Sequence, residues 1–242
     1  MVRHVVIVLF TAAAAATVFT AWTPASILPP SAASRIASAL ATQQQIGPDS
    51  TPIPPTPTPS PAPRVGIVAG HKGNDSGAVC PDGLTEAAVN FEVASRVKLN
   101  LEAAGYQVDL LDEFDDRLVG YKALALASIH ADSCDYINDI ATGFKVASSV
   151  QSPAPDEAAA LVGCLQDRYQ VRTQMNFHAS SITFDMTAYH AFREIDPGTP
   201  AAIIETGFLN LDRRILTEQP DLVAQGITDG ILCYINEETA PQ

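Results

Sequence analysis

Two side chains that can bind a metal ion lie close to each other within residues 64–90. Residues 65–69 form a short apolar run that ends at Gly70 and His71, and a loop rich in glycine, asparagine and aspartate leads to Glu86. Such a run bounded by turn residues predicts a buried strand, and an amphipathic stretch that begins at Glu86 predicts a helix. An imidazole and a carboxylate held by these elements could supply two ligands of a zinc site. The alternative is an ordinary strand, loop and helix with both side chains in water.

Two later apolar runs also carry side chains that can bind a metal ion or transfer a proton. Residues 124–132 contain His130 near their end, and residues 201–210 contain Glu205. Ligands bind at the carboxyl edge of the strands in open α/β sheets, so these groups are expected to meet His71 there. Three protein ligands would leave one zinc position free, and a further carboxylate could act as a general base.

The elements that must position these side chains alternate between strand and helix along the chain. This order predicts a largely parallel sheet with helices on both faces. The predicted strands are residues 65–69, 106–111, 143–150, 189–195 and 201–205, together with the run that ends at His130. The predicted helices are residues 86–104, 118–126, 155–169 and 221–237. Asn90 lies one helical turn after Glu86 and is suited to orient that carboxylate, unless it is simply solvated.

Composition limits the partners of this chain. The formal net charge is −13, with 27 acidic and 14 basic residues. A surface of this sign repels a phosphate backbone, so no nucleic-acid partner is expected. The hydrophobic content of 47% is sufficient for the core of one domain.

The first 63 residues predict export and a spacer. Residues 1–30 are interpreted as a signal peptide or signal anchor, in which the apolar residues 5–22 could anchor the chain in a membrane. Residues 31–63 form a linker, proline-rich at its end, that is interpreted as a disordered, extended spacer rather than a ligand for another protein. The folded domain that carries the candidate site, and would be the catalytic domain, is expected to cover residues 64–242. The predicted location is extracytoplasmic, either secreted or anchored in a membrane.

The four cysteines predict disulfides if the chain is exported. They form no CxxC motif and no close Cys/His cluster, which argues against a structural zinc finger. Three pairings are possible, and Cys80 with Cys134 is favoured because each lies just beyond a candidate metal ligand. That choice leaves Cys164 with Cys233, each on a predicted helix. Four buried thiols are the alternative.

Short motifs follow one another in a characteristic order over residues 64–235. They are GHKG at residues 70–73, DSGA at 75–78, GLTE at 83–86 with Asn90 after it, SIHA at 128–131 and ETGF at 205–208. This series resembles the zinc-dependent N-acetylmuramoyl-L-alanine amidases of the amidase-3 type. The resemblance implies a three-layer α/β/α sandwich around a mostly parallel twisted sheet.

The resemblance also implies a function and a role for each site residue. His71, Glu86 and His130 would bind Zn²⁺, and Glu205 would be the catalytic carboxylate that moves a proton from water to the departing nitrogen. The implied substrate is peptidoglycan, and the implied location is the bacterial cell envelope. The bond cut would be the amide between N-acetylmuramic acid and the L-alanine of the stem peptide.

The chain departs from the family pattern in several places. Family members commonly have Asp-Pro before Gly-His and a glycine after it, whereas this chain has Val68-Ala69 and Lys72. None of these positions is a candidate ligand, so the departures leave the ligand set complete. They are expected to change the loop and the charge of the cleft. His178 and His190 match no family ligand and are interpreted as structural or surface histidines rather than substrate contacts.

Three other functions compete with the amidase. A wall-binding protein could retain the fold without catalysis, but the complete set of ligands together with Glu205 argues against it. Another zinc peptidase, such as a carboxypeptidase, would use the same ligands, but the ETGF motif favours the amidase. A cysteine hydrolase that uses Cys80 and His130 would need a reduced thiol outside the cell.

Overall fold

The computed structural model describes residues 62–238, and within them five strands form one sheet. The strands are β1 (Arg64–Ala69), β2 (Gln107–Leu111), β3 (Leu126–Asp132), β4 (Lys145–Ala147) and β5 (Ala201–Phe208). Their order is β2-β1-β3-β5-β4, and all neighbours are parallel except β4, which is antiparallel to β5. The predicted signal or anchor segment and nearly all of the predicted linker lie outside the described residues. Among the helices of residues 62–238, none is long and apolar enough to cross a bilayer.

Helices cover both faces of the sheet, as predicted for a three-layer sandwich, but the two layers differ in thickness. Within the described residues the α-helices are α1 (Glu86–Ala103), α2 (Pro155–Thr173), α3 (Phe184–Thr187), α4 (Ala191–Glu194), α5 (Arg213–Glu218) and α6 (Pro220–Ile235). The long helices α1, α2 and α6 pack together on one face, where Ile67, Ile129 and Ile204 point. The other face carries Val68, Leu126 and Ile203 and packs against α3, α4 and short loops. Alternate residues of each strand therefore serve two separate cores.

The register of the strands brings the ends of β1, β3 and β5 together. Ala69 of β1 pairs with Ile129 of β3, so the loop after β1 begins beside His130. His130 in turn lies opposite Glu205 of β5, and Lys145 of β4 lies opposite Glu205 from the other side. The parallel register thus gathers candidate site residues from distant parts of the chain at one edge of the sheet.

The helix predicted over residues 118–126 is wrong. One 3-10 turn, Asp116–Leu118, takes its place, and the chain then runs to β3. Gly120 has a φ of +68°, a left-handed conformation that interrupts a helix. Because Leu118 is already buried by this turn, a longer amphipathic helix is not needed to bury it.

The strand predicted over residues 189–195 is also wrong, since these residues contain the short helix α4. Tyr189 and Ile195 are buried and Phe192 is partly buried, so the apolar residues recur at every third position. This spacing matches a helical turn and not the alternation of a strand. The strand predicted over residues 143–150 is present but reaches only from Lys145 to Ala147.

Both favoured disulfides are present. Cys80 is linked to Cys134 with their Cα atoms 5.3 Å apart, and Cys164 is linked to Cys233 with a Cα separation of 5.7 Å. The first joins the loop before α1 to the segment after β3, and the second joins α2 to α6. These bonds contradict the alternative of four thiols. They also contradict a cysteine hydrolase, because Cys80 has no thiol available as a nucleophile.

Candidate metal centre

Three side chains that can bind a metal ion converge at the carboxyl edge of the sheet. His71, Glu86 and His130 each offer one ligand atom, and these atoms all lie within 4.8 Å of one another. His71 Nε2 is 3.2 Å from Glu86 Oε1, and His130 Nδ1 is 3.3 Å from the same oxygen. The structure therefore directs two imidazole nitrogens towards one carboxylate, although the residues are spread over 60 positions of the chain.

The backbone around His71 is shaped to bring the two imidazoles together. A Cβ atom at Gly70 would lie 2.4 Å from the ring of His130, so only glycine permits this approach. His71 itself has a φ of +64°, a left-handed conformation that is uncommon for residues with a side chain. Its ring Nδ1 lies 2.6 Å from Asp75 Oδ1, and this contact orients Nε2 towards Glu86.

Glu86 is held by hydrogen bonds that leave little freedom to its carboxylate. It is the first residue of α1 and is buried. The backbone N–H of Ala78 donates to Oε2 at 3.1 Å, and the N–H of Ala131 donates to Oε1 at 3.3 Å. The Asn90 side chain donates to Oε1 at 3.2 Å and also to the carbonyl of Gly70 at 3.1 Å. Asn90 thus orients the carboxylate, as its position one turn along α1 predicts.

The pKa values of the three groups move apart because the groups interact. Hydrogen bonding to Glu86 raises the pKa of His71 to about 9, against an opposing effect of burial. Burial would raise the pKa of Glu86, but hydrogen bonds with His130 and His71 outweigh it and hold the pKa below its usual range. Burial would lower the pKa of His130, but the carboxylates around it raise the pKa overall. In the absence of an ion His71 therefore holds a proton at neutral pH, and a metal cation would displace it.

The donor set and its geometry fit a zinc ion. Two imidazole nitrogens and one carboxylate oxygen are common protein ligands of zinc, and three such ligands leave a position for water or substrate. The three ligand atoms face one small region, and the carboxylate already accepts contacts from both rings. These residues could hold a metal ion without a change of the fold.

Glu205 lies beside this cluster and is not part of it. Its Oε2 atom is buried and has no hydrogen-bond partner within residues 62–238. Burial raises the pKa of Glu205 to about 7, although the positive charges of His130 and Lys145 oppose this effect. A carboxyl group with a pKa near neutrality can accept a proton and release it again at physiological pH.

Replacing Glu205 by Gln should stabilise the metal-free protein above neutral pH. The pKa of Glu205 rises from 4.5 to about 7 on folding, so between these values the folded state binds more protons than the unfolded state. The free energy of unfolding therefore falls as the pH rises through this window, by roughly 1–3 kcal/mol. Because glutamine does not titrate, Glu205→Gln should not show this decrease in the free energy of unfolding.

Urea unfolding of both metal-free proteins at about pH 5 and about pH 8 measures this effect. His71 titrates in both proteins without an effect of Glu205, so its contribution largely cancels in the difference. His130 is coupled to Glu205, and this coupling is part of the effect that is measured. We expect the advantage of Glu205→Gln to be larger at the higher pH. An equal difference at both pH values would contradict the raised pKa.

One residue of this region, Glu113, is not predicted from the sequence. It is buried, and its Oε2 accepts a hydrogen bond of 2.7 Å from the backbone N–H of His71. Its Oε1 lies 3.0 Å from Nε2 of His190. The side chain of His190 is only 17% exposed, so His190 is not a surface histidine. His178 makes a local contact with Ser181, as expected of a structural histidine. Glu113 follows β2 in an acidic turn, and no motif in the sequence marks it.

Comparison with known proteins agrees with this fold. The family model described as N-acetylmuramoyl-L-alanine amidase matches residues 65–233. The chain is 25% identical to the amidase AmiC2 of Nostoc punctiforme, with 72% of this chain and 97% of that chain covered and a TM-score of 0.55. It is also 25% identical to an N-acetylmuramoyl-L-alanine amidase from Clostridium difficile 630, with 74% and 100% covered and a TM-score of 0.60. No curated protein matches the sequence.

A third structure, the amidase Ami1 from Mycobacterium smegmatis, has a TM-score of 0.58 over 73% of this chain and 98% of that chain. Its identity is 17%, so it supports the fold alone. The α/β/α prediction is confirmed by these relatives and by the sheet described above. Since the family model covers well over half of the sequence, this chain belongs to the N-acetylmuramoyl-L-alanine amidase family.

Proposed function

We propose that this chain uses zinc to hydrolyse the amide between N-acetylmuramic acid and the L-alanine of the stem peptide of peptidoglycan. The family assignment supports the reaction and the substrate. The observation that carries the site is the approach of His71 Nε2 and His130 Nδ1 to Glu86 Oε1, with Glu205 on the adjacent strand. His71, Glu86 and His130 would hold the zinc ion.

A bound zinc ion would act as a Lewis acid, polarising the scissile carbonyl and making water more acidic. The chain supplies the elements that hold its ligands: the turn after β1 for His71, the first turn of α1 for Glu86 and β3 for His130. Because these elements are packed in the core, the ligands are arranged before substrate arrives, and little reorganisation is needed during the reaction.

Glu205 would hold and move the proton. Its free Oε2 atom can accept a proton from the attacking water and pass it to the amide nitrogen as the carbon–nitrogen bond breaks. A pKa of about 7 suits both halves of this transfer, because the group is neither too weak as a base nor too weak as an acid. Its position on β5 beside His130 keeps it close to the candidate metal centre, although it is not one of the three candidate ligands.

The two disulfides support an extracytoplasmic location, where thiols are oxidised and peptidoglycan is found. Residues 64–242 would form the catalytic domain, and residues 31–63 would separate it from the export segment. Anchoring in the membrane through residues 5–22 stays a prediction.

Digestion of purified peptidoglycan by the zinc-loaded full-length chain tests the reaction. We expect mass spectrometry to detect stem peptides with a free amino group on L-alanine and glycan with a free lactyl carboxyl group. Release of single amino acids from the peptide ends would instead indicate a carboxypeptidase. Tight zinc binding and a folded protein without any cleavage would indicate a wall-binding protein.

A further inference from the structure

Glu113 contacts the backbone of His71, the first candidate ligand. It lies two residues after β2, and its side chain is almost fully buried. Its Oε2 accepts the hydrogen bond from the N–H of His71, and its own N–H donates to the carbonyl of Lys72 at 2.9 Å. Two hydrogen bonds in opposite directions therefore hold the left-handed turn that points the His71 ring at Glu86.

The same carboxylate oxygen faces the second candidate ligand. His130 presents Nδ1 to Glu86, which leaves Nε2 on the opposite side of the ring. This Nε2 atom is buried without a hydrogen-bond partner in the described part of the chain and lies 3.6 Å from Glu113 Oε2. A histidine that binds a metal through one nitrogen usually donates its other N–H to a carboxylate or carbonyl, which fixes the ring. Glu113 is the carboxylate on that side of His130.

His190 in turn fixes Glu113. Its Nε2 lies 3.0 Å from Glu113 Oε1, and its Nδ1 lies 2.9 Å from Glu194 Oε1. Its ring also stacks on Phe114, with ring centroids 4.2 Å apart. The ring of His190 is therefore held at both nitrogens and on one face. It contacts Oε1 of Glu113, so that Oε2 of Glu113 is left to contact His71 and His130.

We propose that Glu113 and His190 form a positioning pair that orients His71 and His130 for metal binding in this chain. Glu113 acts on both histidines directly, and His190 acts only through Glu113. The pair is built from residues 77 positions apart, and neither belongs to the motifs that identify the family. The inference rests on the proposed function in that the ion is taken to be zinc.

Competition between the full-length protein and a chelator for zinc, without substrate, tests the pair. We expect Glu113→Gln to weaken zinc affinity about 10- to 100-fold, the range measured when a group that orients a metal ligand is removed. Glutamine has one acceptor oxygen and no charge, so it cannot serve His71, His130 and His190 together. His190→Gln should weaken affinity in the same direction but less. The double variant should be no weaker than Glu113→Gln alone, because His190 acts through Glu113.

Two variants control for charge. Asp116→Asn removes the same charge three residues away on an exposed side chain, and Glu92→Gln does so on the exposed face of α1. Both should bind zinc as the wild type does. A merely structural role of Glu113 would lower the stability of the metal-free protein and leave the zinc affinity of the folded fraction unchanged, so thermal unfolding without zinc is measured in parallel.

Zinc affinity of Glu113→Gln within about twofold of wild type would overturn the inference, as would an equal loss in the controls. If Glu113→Gln does not fold, His190→Gln decides the question by the same measurement. A wild-type chain that binds zinc tightly but does not cut peptidoglycan would contradict the proposed function and leave this inference standing. A wild-type chain that binds no zinc would contradict both.

Discussion

Glu205→Gln is expected to lose peptidoglycan hydrolysis and to keep its zinc. Glutamine has nearly the same shape as glutamate, so the packing of β5 should persist, but an amide cannot accept and release the proton. Loss of a general base lowers the rate by about 10²- to 10⁴-fold. Zinc content should remain near that of the wild type, since Glu205 is not among the three side chains that converge. Peptide release from purified peptidoglycan and zinc content of the same samples measure both effects.

Glu157→Gln is the matched control for this change, because it makes the same substitution on an exposed residue in the first turn of α2. It should hydrolyse peptidoglycan at the wild-type rate. Unchanged activity of Glu205→Gln would remove Glu205 from the mechanism. Loss of zinc together with activity would instead assign Glu205 a part in holding the ion.

Glu86→Gln is expected to lose zinc binding itself. Glu86 Oε1 is the atom that both imidazoles face, and its negative charge offsets the charge of the ion. Removing groups that only orient a ligand weakens metal affinity 10- to 100-fold, so removing a ligand should weaken it by more than about 100-fold. Hydrolysis should fall with it at zinc concentrations that saturate the wild type. Chelator competition measures the affinity, and the digestion assay measures the activity.

Glu92→Gln provides the comparison for this second prediction, since it changes an exposed glutamate on the same helix. It should bind zinc as tightly as the wild type. Wild-type zinc affinity in Glu86→Gln would mean that the ion is held elsewhere. Both Glu205→Gln and Glu86→Gln should be inactive, but only the second should be free of zinc, and this difference separates the proton carrier from the ligand.

Sequence alone determined the parts of the site that depend on short stretches of chain. The strand that ends before His71, the helix that begins at Glu86 and the strand that carries His130 follow from local apolar patterns and from turn residues. The parallel topology also follows, because alternating strands and helices bury their apolar faces in few ways. Convergence of the three side chains was predictable for the same reason, since parallel strands end at one edge.

Only the tertiary structure decided which side chains surround those three. Glu113 meets His71 across 42 residues and His190 across 77, and neither contact leaves a periodic pattern in the sequence. The short antiparallel strand β4 likewise depends on its pairing with the distant β5. The helix α4 is different, because the spacing of Tyr189, Phe192 and Ile195 in the sequence already matches a helical turn. Local patterns record which residues must be buried, but the partner that each buried polar group finds depends on how distant segments pack, and this information lies in no single stretch of chain.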